Sequence, residues 1–553
     1  MTCSLSAQSE TGIVISAVPG IRLFRNGVPR SETTAVIESE TTVSAVGNTE
    51  STASSGGGLS PSRRRKTWVF RLAAVLLGLS VLVVAEGVCR LCDVGHPDDY
   101  VDPFVGFSDV YPLFVLSEAG DEYEIPASRR NFFVHDSFPA RKGSKEFRIF
   151  CLGGSTVQGR PHSVQTSFTT WLALGLKVAA PSCEWEVVNC GGISYASYRL
   201  LPILTECLDY EPDLFVICTG HNDFLEDRTY EHIRQTPKFL AVPLHYVSRL
   251  RLLTLLRSGL LALTGTKGGP PRDNRPVLTA EVDALLDYNE GLNAYRRNNE
   301  WRRSVIDHYE RNLRYLVSTA RRAGVPVILM RPPSNLRNCP PFKSEHREQL
   351  TRAETKLWHE LIIEAKSHCR NDPATSIRLL RQSMDIDDQY AATWYELGKC
   401  HDALGEHQAA RESYLQAREQ DICPLRILQP MEQALVRLAR ERSVPLIDVH
   451  ELLESRARNR ILGGFHLVDH IHPSFESHQL IANALIEQMC VQGMLCPQTT
   501  WHSDAAELYR QHFESLDSLY FLKGQQTLDS LRAWTQGRAD GPPLEARIPH
   551  VTE

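Results

Sequence analysis

Phe147-Arg148-Ile149-Phe150-Cys151-Leu152 runs straight into Gly153-Gly154-Ser155-Thr156. A short apolar run that ends on paired glycines and a hydroxyl residue reads as a buried strand followed by a tight turn. The pattern recurs along the chain. Trp185–Val188 leads into Asn189-Cys190-Gly191-Gly192, and Asp213–Cys218 leads into Thr219-Gly220-His221-Asn222-Asp223. Val325–Met330 leads into Arg331-Pro332-Pro333, and Val444–Val449 is the fifth such run. Near-continuous apolar strands separated by helix-length segments predict an α/β fold with a parallel sheet of about five strands, covered on both faces.

Ligands of such a sheet bind beyond the carboxyl ends of its strands. Three successive ends place glycine beside a polar residue: Gly154-Ser155, Asn189-x-Gly191 and Gly220-x-Asn222. Glycine there lets the backbone approach a ligand closely. One such end is an ordinary turn, but three together point to a site. His221 and His162 fall nearby and read as pocket wall.

Towards the C-terminus stands Asp469-His470-Ile471-His472-Pro473, ahead of a helical pattern over Glu476–Val491. A hydroxyl nucleophile needs a base within hydrogen-bond reach, and the base needs an orienting carboxylate. Asp469 and His472, three positions apart on one turn, can meet side by side. Donors for an oxyanion would be the backbone N–H groups of Ser155 and Gly191 with the Asn222 side chain. A bland reading makes Ser155 a helix N-cap and Asp469–His472 a structural pair. His466, His470 and His472 could instead be metal ligands, but carboxylates at metal-site spacing are lacking apart from Asp469. Neither a metal nor a cofactor is expected.

Gly-Gly-Ser155-Thr, Asn189-x-Gly191, Gly220-x-Asn222-Asp and Asp469-x-x-His472-Pro, in that order, resemble the four blocks of the SGNH/GDSL hydrolase family. The resemblance spans about residues 146–226, 324–336 and 443–491. It implies a flavodoxin-like three-layer α/β/α sandwich and hydrolysis of acyl esters of lipids, sugars or small compounds. It also implies a catalytic triad of Ser155, Asp469 and His472, with an oxyanion hole from Ser155, Gly191 and Asn222. One departure is plain: where the family has Gly-Asp-Ser, this chain has Gly154 before the serine. A polysaccharide O-acyltransferase with the same site, or an interaction protein on a relic hydrolase fold, are the alternative readings.

Two long additions separate the strands. In the first, Phe239–Leu263 is apolar but punctuated by Arg249, Arg251 and Arg257, a candidate amphipathic helix, and helices are expected to fill Ala280–Ala323. The second carries Trp394-x-x-Leu397-Gly398-x-x-His401, then Gly405, Ala410, Tyr414 and Ala417, which resembles a tetratricopeptide repeat. Ser376–Asp388 reads as the second helix of a degenerate preceding repeat. Such a repeat must stack on neighbouring helices or on the hydrolase domain, as a small cap for a protein partner or for shaping the substrate's access. A helical tail over Asp504–Trp534 is expected to pack through Leu508, Phe513, Leu516, Leu519, Tyr520 and Leu531.

The start of the chain differs from the rest. Residues 1–62 are rich in Ser and Thr, with Phe24 their only aromatic, and read as disordered. Arg63-Arg64-Arg65-Lys66 then precedes an apolar run from Thr67 to Ala85, broken only by Arg71. Basic residues before the run and Asp93, Asp98 and Asp99 after it predict a single-pass anchor with the N-terminus cytoplasmic and the catalytic domain outside. Val83-Val84-Ala85 is an acceptable cleavage site, which would give a secreted form. The expected layout is tail 1–62, anchor 63–90 (in the membrane over 67–89), connector 91–145, hydrolase parts 146–226, 324–343 and 442–493, helical insertions 227–323 and 344–441, and C-terminal helices 494–540. Over the 553 residues a net charge of −6 provides no basic field, which argues against nucleic-acid binding. The 14 cysteines are scattered without a short framework, which excludes a small disulfide scaffold. On strands, as at Cys151, Cys190 and Cys218, they read as small apolar side chains.

Overall fold

A computed structural model describes residues 112–226 and 291–535 without a break. It also describes Arg71, residues 77–94 except 79 and 93, residues 250–256 except 254, Val282 and residues 284–287. The chain divides into Met1–Val75, of which Arg71 alone is described, and Leu76–Glu553, which holds everything below. The expected disordered tail, the basic cluster and much of Phe239–Leu263 lie outside the described residues. Residues 80–91 are helical, and no helix among the described residues is long and apolar enough to cross a membrane. Cys89 and Cys92 close that helix in a C-x-x-C spacing, a pair that a reading of the cysteines as scattered passes over.

A small antiparallel sheet comes first: β1 (Val115–Leu116), β2 (Glu122–Glu124) and β3 (Ser137–Pro139). Five parallel strands follow: β4 (Glu146–Gly153), β5 (Glu184–Gly191), β6 (Leu214–Cys218), β7 (Val327–Arg331) and β8 (Leu446–Asp448). They lie in the order β5-β4-β6-β7-β8, a common doubly wound arrangement with its switch point at the first of the five strands. The register pairs Gly153 with both Gly191 and Cys218, so three strand ends finish level with one another.

Successive side chains of a strand point to opposite faces, and both faces here are buried. Phe150, Leu152, Phe215, Ile217 and Leu329 belong to one core cluster, with residues of α3 (Ser197–Cys207), α4 (Asn299–Arg322) and α9 (Gln429–Glu441). Ile149, Cys151, Val216 and Ile328 belong to a second, with α2 (Phe168–Ala179), α10 (Val449–Glu454), α11 (Phe475–Val491) and α12 (Trp501–Ser515). The sheet is thus sandwiched between helices, as its apolar strands require.

Three local expectations need correction. Ala280–Ala323 is not helical throughout. Short 3-10 turns at Leu285–Asp287 and Gly291–Ala294 come first, and α4 starts only where the Asn298 side chain accepts from the N–H groups of Glu300 and Trp301. In the C-terminal pair α12 and α13 (Ser518–Thr535), the buried positions are Trp501, Ala505, Tyr509, Gly524, Leu528 and Leu531, while Leu519 remains 51% exposed. The register shifts because the pair is broken between Ser515 and Ser518. The stretch 112–145, read as a connector, is built into the core. The Glu206 carboxylate accepts from Leu113 N–H (2.7 Å) and Phe114 N–H (2.9 Å), and Phe114 and Phe138 pack edge to face.

The second addition forms two helical hairpins, α5 (Arg352–His368) with α6 (Pro373–Ile386), and α7 (Ala391–Ala403) with α8 (His407–Glu419). A capping box of Thr351 and Glu354 starts α5, and Asp372 followed by Pro373 starts α6. Gly398 lets α7 and α8 approach closely, because a Cβ there would lie 2.7 Å from the Tyr414 ring. The last helix of this stretch, α9, instead joins the main core through Met431, Leu435 and Leu438.

Candidate active site

Strand β4 ends at Gly153, and Gly154 (φ −88°, ψ −156°) turns the chain into the short helix α1 (Ser155–Gln158). The two glycines of the turn leave room for different neighbours. A Cβ on Gly153 would lie 2.3 Å from the Cys218 carbonyl oxygen, and one on Gly154 would lie 2.6 Å from Asn222 Nδ2. The second contact gives a physical reason for Gly154: the Asn222 amide occupies the space that a side chain would need. Asn222 Nδ2 uses one hydrogen on the Tyr195 carbonyl at 3.1 Å and has a second to give.

Ser155, at the sheet's carboxyl edge, meets a loop from the far end of the chain. Ser155 Oγ lies 2.7 Å from His472 Nε2, and His472 Nδ1 lies 2.7 Å from Asp469 Oδ2. The loop is not a helical turn, as the three-residue spacing suggested. A bridge between Leu467 and Pro473 closes it, and Val468 N–H donates to the His472 carbonyl. Asp469 Oδ1 accepts from the N–H groups of Ile471 (2.9 Å) and His472 (2.8 Å), which fixes the carboxylate beneath the imidazole. Burial alone would raise the Asp469 carboxyl. The attraction of His472 and His470, with the hydrogen bonds from His472, outweighs it and holds the group well below the usual carboxylate range. His470 is pushed by burial down to about 4, against the pull of Asp469.

The ligand atoms of Asp469, His470 and His472 lie within 4.8 Å of one another. Both His472 nitrogens are committed, one to Ser155 and one to Asp469, so a cation there would have to break the relay. His466 of the expected histidine set faces Ser477 Oγ at 3.3 Å instead.

Gly191 is near the site but not free to act as expected: its N–H donates to Asn189 Oδ1 at 2.9 Å. Its lack of a side chain serves packing, since a Cβ would lie 2.2 Å from Gln158 N. Asn189 is the organiser here, its Nδ2 reaching the Val157 carbonyl (2.8 Å) and Thr169 Oγ1 (2.9 Å). Beyond it, Ser194 sits at φ 61°, a left-handed conformation that costs a non-glycine residue about 1 kcal/mol or more. Ile193 N–H pins that turn to the Phe132 carbonyl at 2.8 Å.

Sequence reading misses the supports of the loop that carries Asp469 and His472. Asn335, after β7, donates its amide to the Asp469 carbonyl (2.9 Å) and its N–H to the His470 carbonyl (3.0 Å). Arg426 is buried and donates to the carbonyls of Asn335 and Cys339, each at 2.8 Å. The next residue, Ile427, donates its N–H to His221 Nδ1 at 3.1 Å, which ties the β6 end to this segment. His162 packs against Phe475 with ring centroids 4.5 Å apart. Residues 426 and 427 follow the helical hairpins, so the second addition ends by bracing the site. Arg426 also pairs with the buried carboxylate of Asp421 at 3.6 Å, and no pattern in the sequence marks either contact.

No protein-family profile matches the chain, and no curated protein matches it. Solved structures do. The chain is similar to the acetylxylan esterase Axe2 of Geobacillus stearothermophilus at 14% identity, covering 63% of this chain and 96% of that one, with a TM-score of 0.27. It is similar to a lipase/acylhydrolase of Enterococcus faecalis at 11% identity, covering 64% and 99%, with a TM-score of 0.29. A GDSL-like lipase of Bacteroides thetaiotaomicron is similar at 13% identity, covering 64% and 93%, with a TM-score of 0.27.

Proposed function

We propose that this chain is an SGNH-type serine esterase that hydrolyses carboxylic acyl esters on a flavodoxin-like three-layer domain. The observation that carries the reading is the unbroken run Ser155 Oγ–His472 Nε2 and His472 Nδ1–Asp469 Oδ2, at 2.7 Å each and all but buried. In this mechanism His472 takes the Ser155 proton as Oγ attacks the ester carbonyl. Asp469 holds the tautomer that leaves Nε2 free to accept, and stabilises the imidazolium that forms. Ser155 N–H and Asn222 Nδ2 face the oxyanion, and Gly191 N–H joins them only by leaving Asn189. His472 returns the proton to the leaving alcohol, then activates water against the acyl-enzyme.

The substrate is an acylated glycan, a lipid or a small ester. The reading keeps the anchor over residues 67–89, with the catalytic domain outside the cytoplasm, and takes the hairpins α5–α8 as a repeat-like surface for a protein partner. The test is hydrolysis of a chromogenic acetate ester by the full chain beside Ser155→Ala, with fluorophosphonate labelling of both. Turnover and labelling lost together in the variant support the esterase. Equal turnover in both removes Ser155 as nucleophile. Labelling without hydrolysis, and acyl transfer once polysaccharide is added, would make it an acyltransferase.

A further inference from the structure

Two cysteines in the helical hairpins stand apart from the rest. Cys369 caps the C-terminus of α5 and Cys400 lies within α7, and their sulfur atoms are 3.2 Å apart. Ser376 Oγ of α6 lies 3.2 Å from Cys400 Sγ as well, so three helices converge on this point. A disulfide bond is about 2.05 Å long, so closing the pair asks for a shift of roughly 1 Å. The surrounding core of Trp358, Ile362, Ala365, Leu380 and Leu397 holds both helices in place.

We propose that Cys369 and Cys400 are a dithiol–disulfide site, which cross-links the hairpin α5–α6 to the hairpin α7–α8 when the chain meets an oxidising disulfide such as glutathione disulfide. This rests on the hairpins alone and is independent of the esterase reading.

Accessibility favours Cys369 over the cysteines of the main core. Cys151, Cys190, Cys207, Cys218 and Cys423 are fully buried, and burial pushes each of their thiols up, which makes them poor nucleophiles. Cys369 is partly exposed. The hydrogen bond shared with Cys400 outweighs partial burial and, with Lys399 nearby, draws its thiol down to about 7. Cys400, its partner, is pushed up, as expected of the resolving cysteine. A thiol that ionises near ambient pH is the best attacking group in exchange.

The chemistry balances in two steps. The Cys369 thiolate attacks one sulfur of glutathione disulfide, forming a mixed disulfide and expelling one glutathione thiolate, which takes up a proton. The Cys400 thiol then loses its proton and attacks Cys369 Sγ, expelling the second glutathione. Two protein thiols are oxidised to one disulfide, and one glutathione disulfide is reduced to two thiols.

The test equilibrates the full chain, without denaturant, in glutathione buffers of stepped ratio. It is followed by an acid quench, alkylation and non-reducing peptide mapping by mass spectrometry. The expected result is one cross-linked peptide pair carrying 369 and 400, with the loss of two alkylatable thiols per chain. Cys400→Ser should instead trap glutathione on Cys369. Thermal unfolding should shift upward on oxidation in the parent and not in Cys369→Ser, a partly exposed change that preserves the core. Full alkylation of both cysteines in the most oxidising buffer would overturn the proposal. So would a stable glutathione adduct on Cys369 in the parent with no cross-linked pair.

Discussion

Ser155 Oγ and His472 Nε2 are hydrogen-bonded at 2.7 Å although 317 positions separate them in the chain. Two additions, each nearly a hundred residues long, fall between Ser155 and His472 in the chain. What stays constant is the sheet, whose register levels the ends of β4, β5 and β6.

Asp469→Asn tests the relay more sharply than removing the serine. Asp469 Oδ1 accepts two backbone N–H groups, so an asparagine would keep its oxygen there and turn its amide towards His472. Nδ1 would then have to accept, Nε2 would carry the proton, and Ser155 would face a donor instead of a base. We expect kcat for ester hydrolysis to fall about 10⁴-fold with the fold intact. A variant within tenfold of the parent would remove Asp469 from the relay.

Gly154→Asp introduces the Gly-Asp-Ser of the family the chain resembles, and on the proposed mechanism it should impair ester hydrolysis. Its Cβ would fall 2.6 Å from Asn222 Nδ2 and push that amide aside. Losing one oxyanion donor costs about 10²–10³ in kcat, so a fall of at least tenfold, with little change in KM, is expected. Activity equal to or above the parent would show that Asn222 is not placed for the oxyanion.

Much of this site is legible in the sequence because it sits at strand ends, where glycine and polar residues interrupt apolar runs. Ser155 and Asn222 are such interruptions, while Asp469 and His472 are marked by their own Asp-x-x-His-Pro spacing ahead of α11. Gly191 shows the limit: sequence marks a close approach but cannot say whether it serves a ligand or Gln158. Asn335 and Arg426 are invisible for a different reason. They act by hydrogen bonds to backbone carbonyls, which any sequence supplies, so no pattern marks the partner. The small sheet over 115–139 hides because its strands are two or three residues long, too short to show alternation.

Asn335→Ala should separate positioning from chemistry. The variant removes the donor to the Asp469 carbonyl and the acceptor for Asn338 N–H at 3.0 Å. Buried hydrogen bonds of this kind contribute about 1 kcal/mol each, so a loss of roughly 1–3 kcal/mol in unfolding free energy is expected. Because the loop carries Asp469 and His472, kcat should fall while KM holds. A drop in stability with kcat unchanged would confine Asn335 to a structural role.

Gly398→Val addresses the hairpins. A side chain there would meet the Tyr414 ring at 2.7 Å, forcing α7 from α8 at a cost of about 1–3 kcal/mol. Denaturant unfolding should show this loss, and ester hydrolysis should persist at low temperature, since residues 426 and 427 brace the site from beyond α8. An undisturbed midpoint would mean that the hairpin yields without cost.

Asp223→Asn should flatten the pH dependence of stability between about pH 4 and about pH 6. Asp223 is fully buried, and burial raises its carboxyl to about 6, against the hydrogen bonds from Ser197 N–H and Oγ. In the unfolded chain the group ionises near 4. Below about 4 both states hold the proton and its contribution to stability is intact. As pH rises towards 6 the unfolded state releases the proton first, so stability falls by an amount on the order of 2 kcal/mol, and above 6 the loss is complete. Asp136 and Asp421, also raised by burial to about 6, act in the same direction, whereas Asp469 and Glu454, held low, lose their contribution only as pH falls. Asparagine keeps an oxygen for Ser197 and puts an amide where Asp223 Oδ2 has no partner. The stability of the variant relative to the parent should therefore rise between pH 4 and pH 7, as read by urea unfolding. A difference that stays flat across that range would show that Asp223 ionises alike in both states.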